Sequence, residues 1–257
     1  MSLLEQLLLR HFVTFVLVLA RVGALVLTAP AFTSAAIPVR VRALLAVALT
    51  LLVAPLQSGG LAADPAHLPE FLQSLASETL LGLLLGLGVM LLLQGIQLTG
   101  HLVSQLGGTA IAEAFDPTTD TTASIFAQFF YLLTLAMFLL IDGHGRLVAA
   151  LLDSFARHPP GKAALGDSYV EVLTTLLSES FSLGIRAAGP AMVALLLATL
   201  LLGLVGRTLP QINVLAVGFS VNGLLTLGIL LVSIGAVAHA FPRQSVAAID
   251  MLLDALP

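Results

Sequence analysis

The sequence predicts an all-α, membrane-associated chain, and three observations predict it. Of 257 residues, 58% are hydrophobic and 9% are charged, where an ordinary soluble domain has about 45–50% and about 25%. The mean hydropathy is +1.07, so the chain cannot cover its own surface with polar groups. The apolar residues also gather in six long runs, separated by links that carry glycine, proline and most of the charge. Finally, tryptophan is absent and tyrosine occurs twice, although both usually anchor helices at membrane interfaces. Much of the apolar surface is therefore expected to meet protein, not lipid.

The first run, residues 12–28, is a helix closed by Pro30. It is long for the apolar core of a secretory leader, and Arg21 interrupts it. A short link leads to Pro38, a favourable helix start, with Arg40 and Arg42 just behind it. The second run, residues 43–54, stops at Pro55. It falls short of the roughly 20 residues that cross hydrocarbon, so either the arginine-bearing turn enters the membrane or the helix does not span. Residues 57–78 read as a polar connection with two prolines and three acids. The third run, residues 79–101, carries Gly82 and Gly86 four apart, a face where another backbone can approach closely, and Gln94 and Gln97 form a polar stripe.

Residues 125–141 are the fourth run. Asp142-Gly-His-Gly-Arg146 interrupts it before residues 147–155 continue to Pro159-Pro160-Gly161. The fifth run, residues 181–205, contains Arg186 and Pro190. A turn at Gly206-Arg207-Thr-Leu-Pro210 joins it to the sixth, residues 212–240, so the last two form a helical hairpin. The expected division is 1–165 for an N-terminal helical part and 166–257 for the hairpin. Loop charges leave the orientation open, since Arg40, Arg42 and Arg207 oppose Arg10, Arg146, Arg157, Lys162 and Arg243 across a six-span drawing.

Between the third and fourth runs lies the segment the rest of the chain is organised around. Residues 107–124 open on Gly107-Gly108, break at Asp116-Pro117, and carry Glu113, Asp116 and Asp120 with no local Lys or Arg. Irregular backbone of this kind cannot face lipid; it belongs in water or in a protein-lined cavity.

Catalytic and binding chemistry is excluded motif by motif. The net charge is −4 with no basic run, which removes nucleic acid as a partner, and the absence of cysteine removes disulfides and thiolate sites. A Gly-x-Gly-Asp aspartyl site fails because Ala164 precedes Gly166-Asp167. No His-Glu-x-x-His helix and no Gly-x-Ser-Gly is present. Asp142 and His144 are better read as marking a helix break than as metal ligands. No cofactor is expected and no enzyme activity is assigned. Arg21, His101 and Arg186 are the ionisable groups inside apolar runs. Each mid-helix charge costs about 2.5–3.5 kcal/mol on insertion scales unless it is paired. For the two arginines a structural ion pair or carbonyl contact, within the chain or at a subunit interface, outweighs a proton relay, because the acids fall in loops.

Three stretches together resemble the FliR family, the flagellar export-gate subunits related to those of virulence type III secretion systems. They are Ala20-Arg21 through Pro30-Ala-Phe32 with Ile37-Pro38-Val-Arg40-Val-Arg42; Phe115-Asp116-Pro117 with Asp142-Gly143-His144 and Pro159-Pro160-Gly161; and Pro210-Gln211-Ile212-Asn213-Val214 through Gly218-Phe219. The resemblance implies membrane-associated helical hairpins, an N-terminal part built like FliP and a C-terminal hairpin built like FliQ. It implies assembly with FliP-like and FliQ-like subunits and other export-apparatus membrane components. It further implies unfolded polypeptides as export substrates and a place in the bacterial inner membrane at the flagellar basal body. The family's central loop plugs the export channel, and it maps here onto about residues 106–124. In this plug, which also includes Ile111, Gly107 and Gly108 would turn the backbone, Phe115 would be the apolar stopper, Asp116-Pro117 would fix the bend, and Glu113, Asp116 and Asp120 would stay hydrated. Arg21, Arg40, Arg42, Arg186, Arg207, Pro210, Gln211 and Asn213 are expected at subunit interfaces. The alternative is a small-solute transporter with broken helices around Gln94, Gln97 and Pro190, but the matched half-repeats of such proteins are not seen.

Overall fold

The computed structural model describes residues 3–33, 37–57, 68–108, 124–162, 168–209 and 214–254, and every regular element among them is helical. In order these are α1 (Leu3–Thr28), α2 (Pro30–Thr33), α3 (Val39–Val53), a 3-10 turn (Ala54–Gln57), α4 (Leu68–Gly107), α5 (Ile125–Leu140), α6 (Gly143–Arg157), α7 (Ser168–Thr208) and α8 (Val214–Asp254). Five helices are long and apolar enough to cross a membrane, and the broken pair α5 and α6 together make a possible sixth.

Helix boundaries follow local chemistry more than hydropathy. Pro30 opens α2 at a first-turn position, where its missing N–H is no loss, and Pro38 occupies the N-cap of α3 with extended backbone. Arg40 and Arg42 therefore lie in the first turn of α3. With the 3-10 turn, Val39–Gln57 is 19 residues long, which reaches membrane-crossing length once the arginine-bearing first turn is counted. The stretch 68–78, expected as a polar connection, is instead the first part of α4. Pro69 sits in its first turn, and Glu70 there faces the favourable end of the helix dipole. At the other end Gly108 takes φ 79, the left-handed cap that closes a helix. Ser124 starts α5, its Oγ accepting the Ala127 N–H at 3.3 Å. The sixth run is also longer than expected: α8 continues through Pro242 to Asp254.

The chain folds as two compact units. The first comprises Met1–Leu91, Phe138–Leu176 and Ser245–Pro257. Here α1 packs against α2 and α3, and Leu17, Val22, Leu25, Leu81, Leu85, Leu151 and Phe155 are buried. Gly82 and Gly86 let α4 touch α1 directly: a Cβ on Gly82 would fall on the Arg21 carbonyl oxygen, and one on Gly86 on the Thr28 hydroxyl. The backbone that approaches this glycine face is thus that of α1, inside the chain. Gly88 is covered by the Leu252 side chain, and Arg157 Nη1 donates to the Leu253 carbonyl at 2.8 Å.

The second unit comprises Leu92–Met137 and Leu177–Gln244. Its core includes Ile96, Val103, Phe130, Ala188, Leu195, Val237 and Phe241. Backbones meet at Gly95 against Ser180, at Gly184 against Gly95 and at Gly100 against Ala127. Thr99 Oγ1 adds a bond to the Gly184 carbonyl at 3.0 Å. The expected 165/166 division lies in residues 163–167, outside the described residues.

Candidate functional site

The most concentrated polar chemistry lies in the first unit around Arg21, which is 0% exposed. Its Nε donates to Glu78 Oε2 at 2.6 Å, one Nη to Ser154 Oγ at 3.1 Å, and the other to the His158 carbonyl at 3.0 Å. The guanidinium plane stands 4.2 Å from the centre of the Phe155 ring, a cation–π contact that replaces water on that face. Glu78 is equally buried. Its second oxygen accepts the Gly161 N–H at 2.9 Å. Ser154 Oγ donates its own hydrogen bond to the Leu151 carbonyl at 2.6 Å.

The elements dictate this arrangement. Arg21 lies on the face of α1 that meets α4, and Glu78 is four residues before Gly82, hence on that same face of α4. The Pro159–Lys162 turn closes with the Lys162 N–H on the Pro159 carbonyl at 3.0 Å. Pro160 and Gly161 hold its two central positions, with Gly161 at φ 83, as a type II turn requires. That turn leaves the His158 carbonyl and the Gly161 N–H free to meet the charges. His158 Nε2 and the Tyr169 hydroxyl are buried nearby in sequence and have no protein partner.

Of the two sequence-stretch readings offered for Arg21, the ion pair is the one present, and it is internal. The Arg21 side chain has no exposed surface and its donors are engaged within the chain. The acids do not all fall in loops either, since Glu78 is inside a membrane-length helix. Sequence reading missed Glu78 because Pro69, Glu70, Gln73, Ser74 and Ser77 precede it, so it looked like the end of a polar link. Its spacing from Gly82 was the available signal. Two stretches of the family signature, Arg21 and Pro159-Pro160-Gly161, meet here through Glu78. A fully buried carboxylate held by an arginine and an amide N–H is suited to holding structure.

The other expected residues fall out differently. Arg42 is half-buried and spends donors at home, on the Ile37 carbonyl at 3.1 Å and the Thr33 carbonyl at 3.2 Å. Arg40, Arg186 and Arg207 are exposed. Gly107 is buried at the end of α4, where a Cβ would press on Thr226 Oγ1, and Gly108 makes the left-handed turn just beyond it. Ile111, Glu113, Phe115, Asp116 and Pro117 lie outside the described residues, as do Pro210, Gln211 and Asn213. At the α5–α6 break Asp142 is left-handed at φ 58, with no side-chain cap bond. His144 Nε2 stands 3.5 Å from its Oδ1, both side chains exposed. Among the described residues no third His, Asp or Glu joins them as a metal set. Gly143 is needed there because the Phe138 ring packs where a Cβ would be.

The chain matches the family of "Bacterial export proteins, family 1" over residues 12–247. It is 34% identical over 240 residues to the flagellar biosynthetic protein FliR of Pectobacterium carotovorum subsp. carotovorum, covering 92% of this chain and 90% of that one. It is 30% identical over 217 residues to the FliR of Escherichia coli K12 (84% and 81% covered). Against the FliR of Caulobacter vibrioides it is 29% identical over 222 residues (86% and 88% covered).

Proposed function

Because the chain belongs to the FliR family of bacterial export proteins, we propose that it is a non-enzymatic subunit of the flagellar type III protein export gate. In this reading it assembles with FliP-like and FliQ-like subunits in the bacterial inner membrane and forms part of the channel and its plug. The observation that carries the proposal is the family match across residues 12–247. The surface supports it. On α7, Val193, Leu197, Leu200, Leu201 and Leu204 are each more than half exposed. On α8 so are Leu224, Leu227, Leu231 and Val232. Such faces need lipid or partner subunits to cover them. Arg186 and Arg207, exposed on α7, are placed to order such a contact with carbonyls or acids of a neighbour.

The plug assignment rests on residues 109–123, which connect the Gly108 cap of α4 to the Ser124 cap of α5 and carry three acids without a cation. Two measurements test the proposal. A tagged chain solubilised from its own membranes in mild detergent is expected to bring FliP-like and FliQ-like proteins with it. Recovery alone, with solute flux in reconstituted vesicles, would establish a small-solute transporter instead. Phe115→Ala and deletion of residues 110–118 are expected to leave assembly intact and make cells leak ions. Intact assembly without added leak refutes the plug.

A further inference from the structure

The geometry points to the Arg21–Glu78 pair as a polarity-reading latch that docks the turn between α6 and α7. A buried ion pair needs only two residues to neutralise itself, yet this one meets a third segment through backbone groups of opposite kind. The arginine end faces a carbonyl, that of His158, at 3.0 Å, and the carboxylate end faces an N–H, that of Gly161, at 2.9 Å. The donor side of the pair meets an acceptor and the acceptor side meets a donor, so the turn fits in one orientation only.

Ser154 and Phe155, one turn before the end of α6, complete the socket with an acceptor and an aromatic face. Pro160, between the two reading groups, is buried. Because both charges are 0% exposed, undocking the turn strips a charge-assisted bond from each and admits water to both. The two bonds are made by the same turn, so they are gained and lost together. This role is independent of what the assembly exports.

The test separates neutralisation from reading. Arg21→Glu and Glu78→Arg are each expected to lower the amount of chain in the membrane at least tenfold, since each places two like charges in a dry site. The double variant Arg21→Glu/Glu78→Arg restores an ion pair but reverses its polarity. Its carboxylate then faces the His158 carbonyl and its guanidinium the Gly161 N–H, acceptor to acceptor and donor to donor. It is expected to recover accumulation while the turn stays undocked.

Docking is read by a Pro160→Cys thiol, alone in a chain with no natural cysteine, with a membrane-impermeant maleimide. Labelling is expected to be at least tenfold faster in the double variant than in the native background, with exposed Lys162→Cys labelling equally in both. A double variant that accumulates and labels as slowly as native overturns the latch. Should it fail to accumulate, hydrogen exchange on the native full-length chain decides. A Gly161 amide as slow as the interior amides of α6 upholds docking, and one exchanging at an open-loop rate overturns it.

Discussion

Arg21 and Arg186 look alike in the sequence and have opposite fates in the fold. Each stands in an apolar run within a helix long enough to span a membrane. Arg21 is sealed in the first unit against Glu78, Ser154 and the His158 carbonyl. Arg186, in the second, is exposed, and among the described residues it has no bonding partner. The difference lies in what the facing helices supply. The face of α4 that meets α1 presents an acid four residues before a glycine, so the helices come close enough to close the pair. Around Arg186 the contacts between α4 and α7 are Gly95, Gly184 and Thr99, which bring backbones together but supply no counter-charge. An intramembrane arginine is therefore spent at home or offered outward according to a residue on another helix, which its own surroundings in the sequence do not reveal.

The largest effect expected from this contrast is at the buried member. Arg21→Ala leaves Glu78 dry and unpaired, a loss of about 3–5 kcal/mol, so the chain should fail to accumulate in membranes or melt far lower in detergent. Retention of native accumulation would erase the distinction. Next comes the approach that makes the pair possible. Gly82→Ala drives a Cβ into the Arg21 carbonyl and should cost about 1–3 kcal/mol. Gly203→Ala on α7, where nothing lies within 4 Å, should be neutral or stabilise by about 0.5–1 kcal/mol. Equal melting shifts for the two glycines would show that the approach of α4 to α1 at Gly82 is not what the substitution disturbs.

Smallest in the isolated chain is Arg186→Ala, within about 0.5 kcal/mol of native stability. The readout that should move is recovery of the assembled complex. A variant that melts as native yet loses its partners sharpens the contrast, and one that keeps them removes Arg186 from the interface. Arg207→Ala is expected to behave in the same way.

Helix existence was legible because apolar runs this long have few alternatives, and the Pro30, Pro38 and Asp142-Gly143 punctuation stood where the structure breaks. Helix length was not. Residues 68–78, 168–180 and 241–254 continue their helices with Glu70, Gln73, Glu171, Ser178 and Asp250 on exposed positions, so hydropathy ends while backbone hydrogen bonding goes on. The sixth run reads as ending at residue 240, yet α8 passes through Pro242. The site was half legible. Arg21 and the Pro-Pro-Gly turn stood out as residues, but their meeting depends on Glu78, which carries no mark of burial in a stretch otherwise polar. The glycines of α4 were legible as a packing face, though not which helix they would receive.

Glu78 and Gly82 lie one helical turn apart and both act on Arg21, one gripping its guanidinium and the other admitting its carbonyl. This pairing sets how the gene can tolerate changes in length. Each residue added to a helix rotates everything beyond it by about 100° and advances it by about 1.5 Å. One residue inserted or deleted between 78 and 82 therefore cannot leave both contacts on Arg21, whatever its chemistry. The same change among residues 58–67, before α4 begins, leaves the spacing from Glu78 to Gly82 intact. Over those few positions the chain is intolerant of length itself, while most substitutions on the outer side of that turn, at Leu80 for instance, meet only the surroundings of the exposed face.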